Sequence, residues 1–206
     1  MQARWLKQSS ASEVIVVFGG WALGTAPFLH LAGQQDVLFV DDYRETAPLP
    51  DLSNYEHRTA VAYSFGVAAF CHWQDQFAQQ FHRKIAINGS PSPIDRKLGI
   101  PPIIFDKTHD GLTTDSFQQF LGHCYNADQP HLDIDVDARK AELAAVKSRG
   151  PTPAPQFDKI WISTADRIFP AANLRRAWAA QAANIQELDA PHVPFTHWDS
   201  WNEVIK

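Results

Sequence analysis

The stretch TAVAYSFGVAAF, residues 59–70, decides the fold because its pattern changes at one serine. The residues before Ser64 are a continuous apolar run, which is typical of a buried strand. After Ser64, apolar residues recur at the three- and four-residue spacing of a helix face over FGVAAFCHWQDQFAQQF, residues 65–81. The stretch therefore predicts a strand that ends at Tyr63, a sharp turn at Ser64 and a helix after it. The alternative is that Ser64 is an incidental polar residue in one buried element.

Five further runs predict strands on both sides of this one. They are EVIVVFGG (13–20), DVLFVDDY (36–43), RKIAINGSP (83–91), FDKIWISTAD (157–166) and ANIQELDAP (183–191). Helical segments separate most of them along the chain. Strands that alternate with helices predict right-handed crossovers and a largely parallel sheet that is covered on both faces.

The fourth and fifth predicted strands are separated by about sixty residues, far more than a usual connection. This segment begins with the proline-rich SPSPIDRKLGIPP, interpreted as a loop. Two helices are predicted after it, TTDSFQQFLGHCY (113–125) and DVDARKAELAAVKSR (135–149). We therefore expect a helical lid insertion at residues 90–150, and a core formed by residues 1–89 and 151–206.

Composition and length favour a single globular domain. The chain has 206 residues, of which 45% are hydrophobic and 20% charged. The net charge of −5 argues against nucleic acid as a partner. The longest apolar run near the start has 10 residues and is too short to span a membrane, and the start has no secretory h-region. The cysteines Cys71 and Cys124 are expected core residues of a cytoplasmic protein that has no metal site and no cofactor.

Three reactive residue types follow predicted strands, where parallel sheets form their sites. Ser64 follows the third strand, Asp166 the fifth and His192 the sixth, which is the chain order of the α/β-hydrolase arrangement. A serine hydroxyl needs a base to take its proton, histidine suits that task, and a carboxylate orients the imidazole. The sequence therefore predicts an α/β-hydrolase fold with a mostly parallel central sheet and a serine nucleophile.

The turn at the serine and the loop after the first predicted strand complete this hypothesis. The pattern Gly-x-Ser-x-Gly is typical of such a turn, and here Ala62 replaces the first glycine while Gly66 keeps the second. An oxyanion hole needs two preorganised donors. The candidates are the backbone N–H groups of Phe65 and of Trp21, which lies in FGGWAL.

Each member of the predicted triad has a competing interpretation. Asp166 could be a turn acid, and Asp189 competes with it but lies inside its predicted strand. His192 could be an ordinary loop histidine, and His197 is a rival base, next to a tryptophan in a predicted terminal helix. The joint occurrence of the three residue types at strand ends, in the expected order, favours the triad.

The motifs FGGWAL, DDYRE, AYSFGVAAF, INGSPSPID, GIPPIIFD, STADRIFP and APHVPF resemble those of the short pimeloyl-[acyl-carrier protein] methyl ester esterases of biotin synthesis. The resemblance covers nearly the whole chain. It implies an α/β-hydrolase with a helical lid that hydrolyses the methyl ester of a pimeloyl chain carried on acyl carrier protein. It also implies that Ser64 is the nucleophile, His192 the base, Asp166 the orienting acid, and Trp21 and Phe65 the oxyanion donors.

Such a substrate calls for a narrow apolar pocket and a docking surface for an acidic carrier. The candidate pocket residues are Trp21, Phe65, Phe105, Phe117, Phe120 and Phe195. Residues 90–150 hold seven Lys/Arg against nine Asp/Glu, so the insertion is not basic as a whole. The candidate carrier contacts are the basic pairs Arg96–Lys97 and Arg139–Lys140, which could equally be solvated surface residues. Arg44 of DDYRE has no role in this hypothesis.

Two other functions fit the same residues. One is a general short-chain esterase or thioesterase with the same triad. The other is a non-catalytic binding protein built on a hydrolase fold.

Overall fold

The structure, a computed structural model, describes residues 1–77 and 79–206. Within these ranges seven strands form one sheet. They are β1 (Gln2–Lys7), β2 (Glu13–Phe18), β3 (Asp36–Asp41), β4 (His57–Tyr63), β5 (Arg83–Ile87), β6 (Lys159–Ser163) and β7 (Ile185–Leu188). The strand order is β1-β3-β2-β4-β5-β6-β7.

The α-helices are α1 (Phe65–Gln76), α2 (Pro102–Asp110), α3 (Thr114–Tyr125), α4 (Val136–Arg149), α5 (Ala171–Ala177) and α6 (Trp201–Ile205). Short 3₁₀ segments lie at residues 26–28, 179–184 and 195–197. None of the helices in the described ranges is long and apolar enough to cross a membrane.

The parallel part of the sheet, β2 to β7, contains the six predicted strands. Strand β1 was missed. It pairs antiparallel with β3 at the sheet edge, and most of its side chains are exposed, so its sequence lacks a clear buried stripe. Backbone pairing and edge contacts hold it, including the two hydrogen bonds of 2.9 and 2.7 Å from the Arg4 guanidinium to the Asp41 carboxylate.

Aromatic side chains pack on both faces of the sheet, as predicted for a covered sheet. Phe18 lies in register with Ala62 and packs against Phe70 of α1, with ring centroids 5.1 Å apart. Tyr63, the next residue of β4, therefore points to the opposite face. There its ring centroid lies 5.0 Å from that of Phe195.

Helix α1 begins directly after Ser64, as predicted, but ends earlier than expected. It was predicted to continue to Phe81, whereas it ends at Gln76, because Phe77 has an extended backbone with φ −121° and ψ 128°. Ala78, which was also part of the predicted helix, lies outside the described residues.

The segment between β5 and β6 contains both predicted helices, α3 and α4. Thr113 opens α3 with a reciprocal capping box to Ser116, and Asp135 caps α4. The end of the proline-rich segment was predicted to be loop, but Pro102 begins the additional helix α2. A proline at the first helical position is favourable because its missing N–H would be unsatisfied there in any case.

Candidate active site

Ser64 lies at a strained turn between β4 and α1. Its backbone has φ 58° and ψ −128°, which is rare for a residue with a Cβ atom, and its N–H donates a 2.9 Å hydrogen bond to the Ile87 carbonyl oxygen. Gly66 makes the turn possible, because a Cβ atom there would lie 2.1 Å from the Phe18 carbonyl oxygen. The predicted strand–turn–helix is confirmed.

Ala62 stands where this turn usually has glycine, and its methyl group causes no backbone strain or clash. The residue belongs to β4, is fully buried and lies in register between Phe18 of β2 and Ala86 of β5. It is not among the described residues that have positive φ. A methyl group is therefore compatible with its backbone and with its neighbours.

The side chains of Ser64, His192 and Asp166 form one hydrogen-bonded chain. His192 Nε2 lies 3.0 Å from Ser64 Oγ, and His192 Nδ1 lies 2.7 Å from Asp166 Oδ2. The His192 and Asp166 side chains are 1% and 0% exposed, and Ser64 is also buried. The arrangement can pass a proton from the hydroxyl to the imidazole while the carboxylate holds the ring in place.

Asp166 is at once the turn acid and the partner of His192, so the two interpretations do not exclude each other. Its Oδ1 accepts hydrogen bonds from the N–H groups of Ile168 (2.7 Å) and Phe169 (2.9 Å). Its Oδ2 is left for the imidazole. The turn therefore fixes the carboxylate orientation before any substrate binds.

The His192 ring is packed on both sides and its loop is tied to α3. The ring stacks on Phe169 with centroids 5.9 Å apart and lies 5.2 Å from the Tyr63 ring. The next residue, Val193, donates its N–H to the Cys124 carbonyl oxygen at 3.0 Å. The turn that carries Asp166 is tied to the end of the same helix, where Asn126 Nδ2 donates to the Ala165 carbonyl oxygen at 2.9 Å.

Asn88, which the sequence analysis missed, connects three parts of the site. It is buried, it has φ 47°, and its Nδ2 donates to the His192 carbonyl oxygen (2.8 Å) and to Ser163 Oγ (2.7 Å). Its Oδ1 accepts the Ser163 N–H at 2.7 Å. The available signal was its place directly after β5, the same strand-end position that pointed to Ser64.

The rival residues lie elsewhere. His197 Nε2 lies 3.0 Å from the Asp189 carbonyl oxygen. Neither ring nitrogen of His197 contacts Ser64. His197 ends a three-residue 3₁₀ segment, Trp198 has an extended backbone, and the terminal helix begins only at Trp201, so the prediction that this region belongs to the terminal helix is wrong. Asp189 follows β7 instead of lying inside it, and its Oδ1 is 3.4 Å from Thr164 Oγ1.

The two predicted oxyanion donors flank the serine. Phe65 is the first residue of α1, where backbone N–H groups have no partner within the helix. The loop of Trp21 approaches closely, since a Cβ atom on Gly20 would lie 3.2 Å from Ser64 Cβ. In the described part of the chain neither the Trp21 nor the Phe65 backbone N–H donates a hydrogen bond, so both could serve a developing oxyanion.

A cavity of about 330 Å³ opens at Ser64. It is lined by four of the predicted pocket residues, Trp21, Phe65, Phe105 and Phe120. The structure does not bring Phe117 and Phe195 to its wall. Phe117 is buried behind the Trp21 ring, 5.9 Å between centroids, and Phe195 is buried in the aromatic cluster on the Tyr63 face of the sheet.

The four candidate carrier contacts differ in how free their charges are. Arg96 and Lys97 are exposed in the loop before α2. Arg139 donates a 2.7 Å hydrogen bond to the buried carboxylate of Glu142, so its charge is already paired. Lys140 Nζ lies 3.4 Å from the Asp110 carbonyl oxygen at the end of α2.

Glu142 joins the DDYRE loop to α4, whereas Arg44 has a structural role within the loop itself. The Arg44 guanidinium binds the Asp42 carboxylate through two hydrogen bonds of 2.7 and 2.6 Å. Glu142 accepts the Tyr43 N–H at 3.1 Å. Burial raises the pKa of Glu142, against the lowering effects of the Tyr43 amide and the Arg139 guanidinium.

The cysteines are core residues, as predicted, and both thiols are free and buried. Within the described ranges there is no group of three or more His, Cys, Asp or Glu side chains that could hold a metal ion.

A mostly parallel sheet with Ser64 after β4, Asp166 after β6 and His192 after β7 defines an α/β-hydrolase. Solved structures share this fold. A lipase-esterase related protein from Clostridium acetobutylicum has a TM-score of 0.62 and 11% identity, and the alignment covers 93% of this chain and 92% of that chain. An enol-lactonase from Burkholderia xenovorans has a TM-score of 0.62 and 14% identity, and the alignment covers 93% of this chain and 89% of that chain. The chain belongs to the family described as pimeloyl-ACP methyl esterase BioG, whose model matches residues 1–204.

Two individual proteins are similar to most or all of the chain. The crystal structure of BioG from Haemophilus influenzae has a TM-score of 0.91 and 25% identity, and the alignment covers 100% of both chains. A malonyl-[acyl-carrier protein] O-methyltransferase from Bacteroides fragilis is 34% identical over 193 residues, which are 87% of this chain. The chain spans only 39% of that relative's length.

Proposed function

We propose that this chain is a serine carboxylesterase that converts pimeloyl-[acyl-carrier protein] methyl ester to pimeloyl-[acyl-carrier protein] and methanol in biotin synthesis. The observation that carries the proposal is the chain of hydrogen bonds from Ser64 through His192 to Asp166, at a cavity lined by aromatic residues. Membership of the esterase family supports this choice of substrate.

In the first half of the reaction, Ser64 Oγ attacks the ester carbonyl carbon while His192 Nε2 takes the hydroxyl proton. The negative charge that develops on the carbonyl oxygen meets the N–H groups of Trp21 and Phe65. The tetrahedral intermediate then expels methoxide, which leaves as methanol with the proton from His192. In the second half His192 activates a water molecule, which hydrolyses the acyl-serine and releases the carboxylate.

The cavity fits the end of a thin acyl chain better than a bulky substrate. Its volume of about 330 Å³ is at the small end for ligand sites, and helices α2 and α3 supply much of its wall. Residues 90–150 would then act as the lid predicted from the sequence. The Bacteroides relative is named for transferring a methyl group to a carrier-bound acyl chain, and the proposed reaction removes such a methyl group.

The partner is acyl carrier protein, with no nucleic acid and no membrane, and the proposed location is the cytoplasm, where the two free thiols would stay reduced. Arg96 and Lys97 remain proposed carrier contacts, because their charges are exposed. Arg139 and Lys140 are weaker ones, because both already have partners within the chain.

The test is mass spectrometry of carrier-bound methyl esters incubated with the purified protein. We expect a mass loss of one methylene for the pimeloyl ester, and Ser64→Ala should lower the rate by at least about a thousandfold. A fluorophosphonate probe should label wild type and not Ser64→Ala. Failure of the probe to label wild type would favour a non-catalytic binding protein.

The alternative is a general esterase or thioesterase with the same triad. Efficient cleavage of p-nitrophenyl esters together with an intact pimeloyl methyl ester would support that alternative and contradict the proposed substrate. Esters of different chain lengths on the same carrier would then show what the cavity accepts.

A further inference from the structure

Helix α2 exposes two neighbouring isoleucines beside the cavity. Ile103 is 77% exposed and Ile104 is 53% exposed, although large apolar side chains are usually buried. The helix is anchored by Phe105, which is 2% exposed. The exposed side of α2 is therefore a surface without a partner inside the described chain.

The exposed surface continues into the cavity. Lys107 is four residues after Ile103, so the two side chains lie on the same side of the helix. Ile104 and Lys107 line the cavity that contains Ser64, while Ile103 does not. We call Ile103, Ile104 and Lys107 the α2 face. A ligand on the α2 face would lie at the cavity, next to the route by which an acyl chain reaches the serine.

The charges of α2 leave its lysine available. Asp106 Oδ1 forms a 2.6 Å ion pair with Lys147 Nζ, and Asp110 Oδ1 lies 2.8 Å from His109 Nδ1. In the described part of the chain no ion pair or hydrogen bond engages the Lys107 ammonium. The α2 face therefore combines apolar contact area with one unpaired positive charge.

We propose that the α2 face is the docking surface for the acyl carrier protein that delivers the substrate, an inference that rests on the proposed function. A carrier protein is acidic and presents its acyl group on an arm, so it must dock where the arm can enter the cavity. Carboxylates of the partner would pair with Lys107, and its apolar contact residues would cover Ile103 and Ile104. The surface would thus fix the entry point of the chain whose far end reaches Ser64.

The test measures binding and hydrolysis separately. Binding of the intact chain to immobilised carrier protein that bears its unacylated arm is measured by biolayer interferometry. Ile103→Glu places a negative charge and a polar group on the α2 face, and we expect it to raise the Kd about tenfold. The matched control is Leu29→Glu, because Leu29 is 68% exposed and does not line the cavity. The control should bind like wild type.

The hydrolysis assay compares two substrates. In Ile103→Glu the ratio of kcat/KM for the carrier-bound ester to kcat/KM for p-nitrophenyl butyrate should fall about tenfold. Circular dichroism confirms that the variant is folded.

The proposal is overturned if Ile103→Glu binds the carrier as tightly as wild type, or if Leu29→Glu weakens binding equally. It is also overturned if wild type is a dimer in sedimentation that Ile103→Glu dissociates, since the face would then bind a second copy. Weakened binding without any ester cleavage by wild type supports the docking surface and contradicts the proposed function. Cleavage with unchanged binding supports the function and contradicts the surface.

Discussion

The two histidines of the C-terminal segment differ in what their ring nitrogens contact. His192 lies between Ser64 Oγ and Asp166 Oδ2, whereas His197 contacts only a backbone carbonyl oxygen among the described residues. We predict that His192→Ala lowers kcat by about a thousandfold or more, because it removes the proton acceptor. His197→Ala should change kcat only a few-fold. Steady-state hydrolysis of a p-nitrophenyl ester checks both, and equal losses would contradict the assignment of the base.

Asn88 offers a test of positioning that does not touch the reacting atoms. In Asn88→Gly, the glycine readily adopts the positive φ of this position. The substitution removes the side-chain amide that donates to the His192 carbonyl oxygen. We expect kcat to fall by about tenfold to a hundredfold with a nearly constant KM, since a small displacement of a base is costly. Ser163→Ala is the matched control, because it removes one Asn88 partner and leaves the bond to His192.

The kinetic pattern separates this role from general stability. If both variants lose the same amount of activity in proportion to their thermal stability, Asn88 is only a core residue. If Asn88→Gly alone loses kcat, it is a positioning residue.

Sequence reasoning located Ser64, Asp166 and His192 because strand ends in a parallel sheet converge, and the structure places their side chains within hydrogen-bond distance. It did not separate pocket aromatics from core aromatics. Phe117 and Phe195 resemble Phe105 in type, but their positions relative to the cavity depend on packing between helices and on the sheet face. One-dimensional periodicity does not contain that information.

At the scale of elements, strands and helices with a buried apolar stripe were predictable from the sequence. Elements without a clear buried stripe, β1 and α2, were not. Strand β1 depends on backbone pairing with β3, and its side chains are mostly exposed. Pro101 precedes helix α2 and Pro102 begins it, and such a pair of prolines favours a loop until the helix start is recognised. Its exposed isoleucines also weaken the amphipathic pattern that marks a surface helix.

The attachment of α4 to the DDYRE loop gives a pH-dependent prediction. The folded-state pKa of Glu142 is raised by burial, so its contribution to stability is greatest below the unfolded value, near 4.5, and is lost as the pH rises through the folded pKa. Glu142→Gln keeps an acceptor for the Tyr43 N–H and has no titration. We expect the free energy of unfolding of wild type, minus that of Glu142→Gln, to decrease as the pH rises from about 4.5 to neutral.

Urea unfolding of both proteins across this pH range measures the difference. A difference that increases with pH would mean that the ion pair between Glu142 and Arg139 outweighs the cost of burying the carboxylate. Arg139→Gln, which leaves the carboxylate in place, should be less stable than wild type at neutral pH by about 3 kcal/mol.

For the whole molecule, the two thiols report on opening of the core. Burial raises the pKa of Cys71 to about 12, and burial together with the nearby Asp166 charge raises the pKa of Cys124 well above its usual value. We predict that neither reacts with Ellman's reagent in the native protein at about pH 8, because almost no thiolate is present or accessible. Both should react in concentrated guanidinium chloride, and rapid native labelling would show that the core opens easily.

The overall architecture was the most predictable level. Continuous buried strands, alternating helices and one long connection together limit the topology to few solutions, and the parallel sheet follows from them. What the sequence could not supply is the attachment of residues 90–150 to the rest. The hydrogen bonds from Val193 to Cys124 and from Asn126 to Ala165 join segments that are far apart in the chain.

These two hydrogen bonds limit how the chain can be re-engineered. The end of α3 holds both the loop of His192 and the turn of Asp166. The helices within residues 90–150 therefore cannot be exchanged without disturbing these two residues. A chimaera that carries the corresponding helices of another hydrolase would lose the supports of both side chains along with the old cavity wall. New specificity is therefore more accessible through single substitutions on the cavity wall, such as at Phe105 or Phe120, than through transplanting the segment.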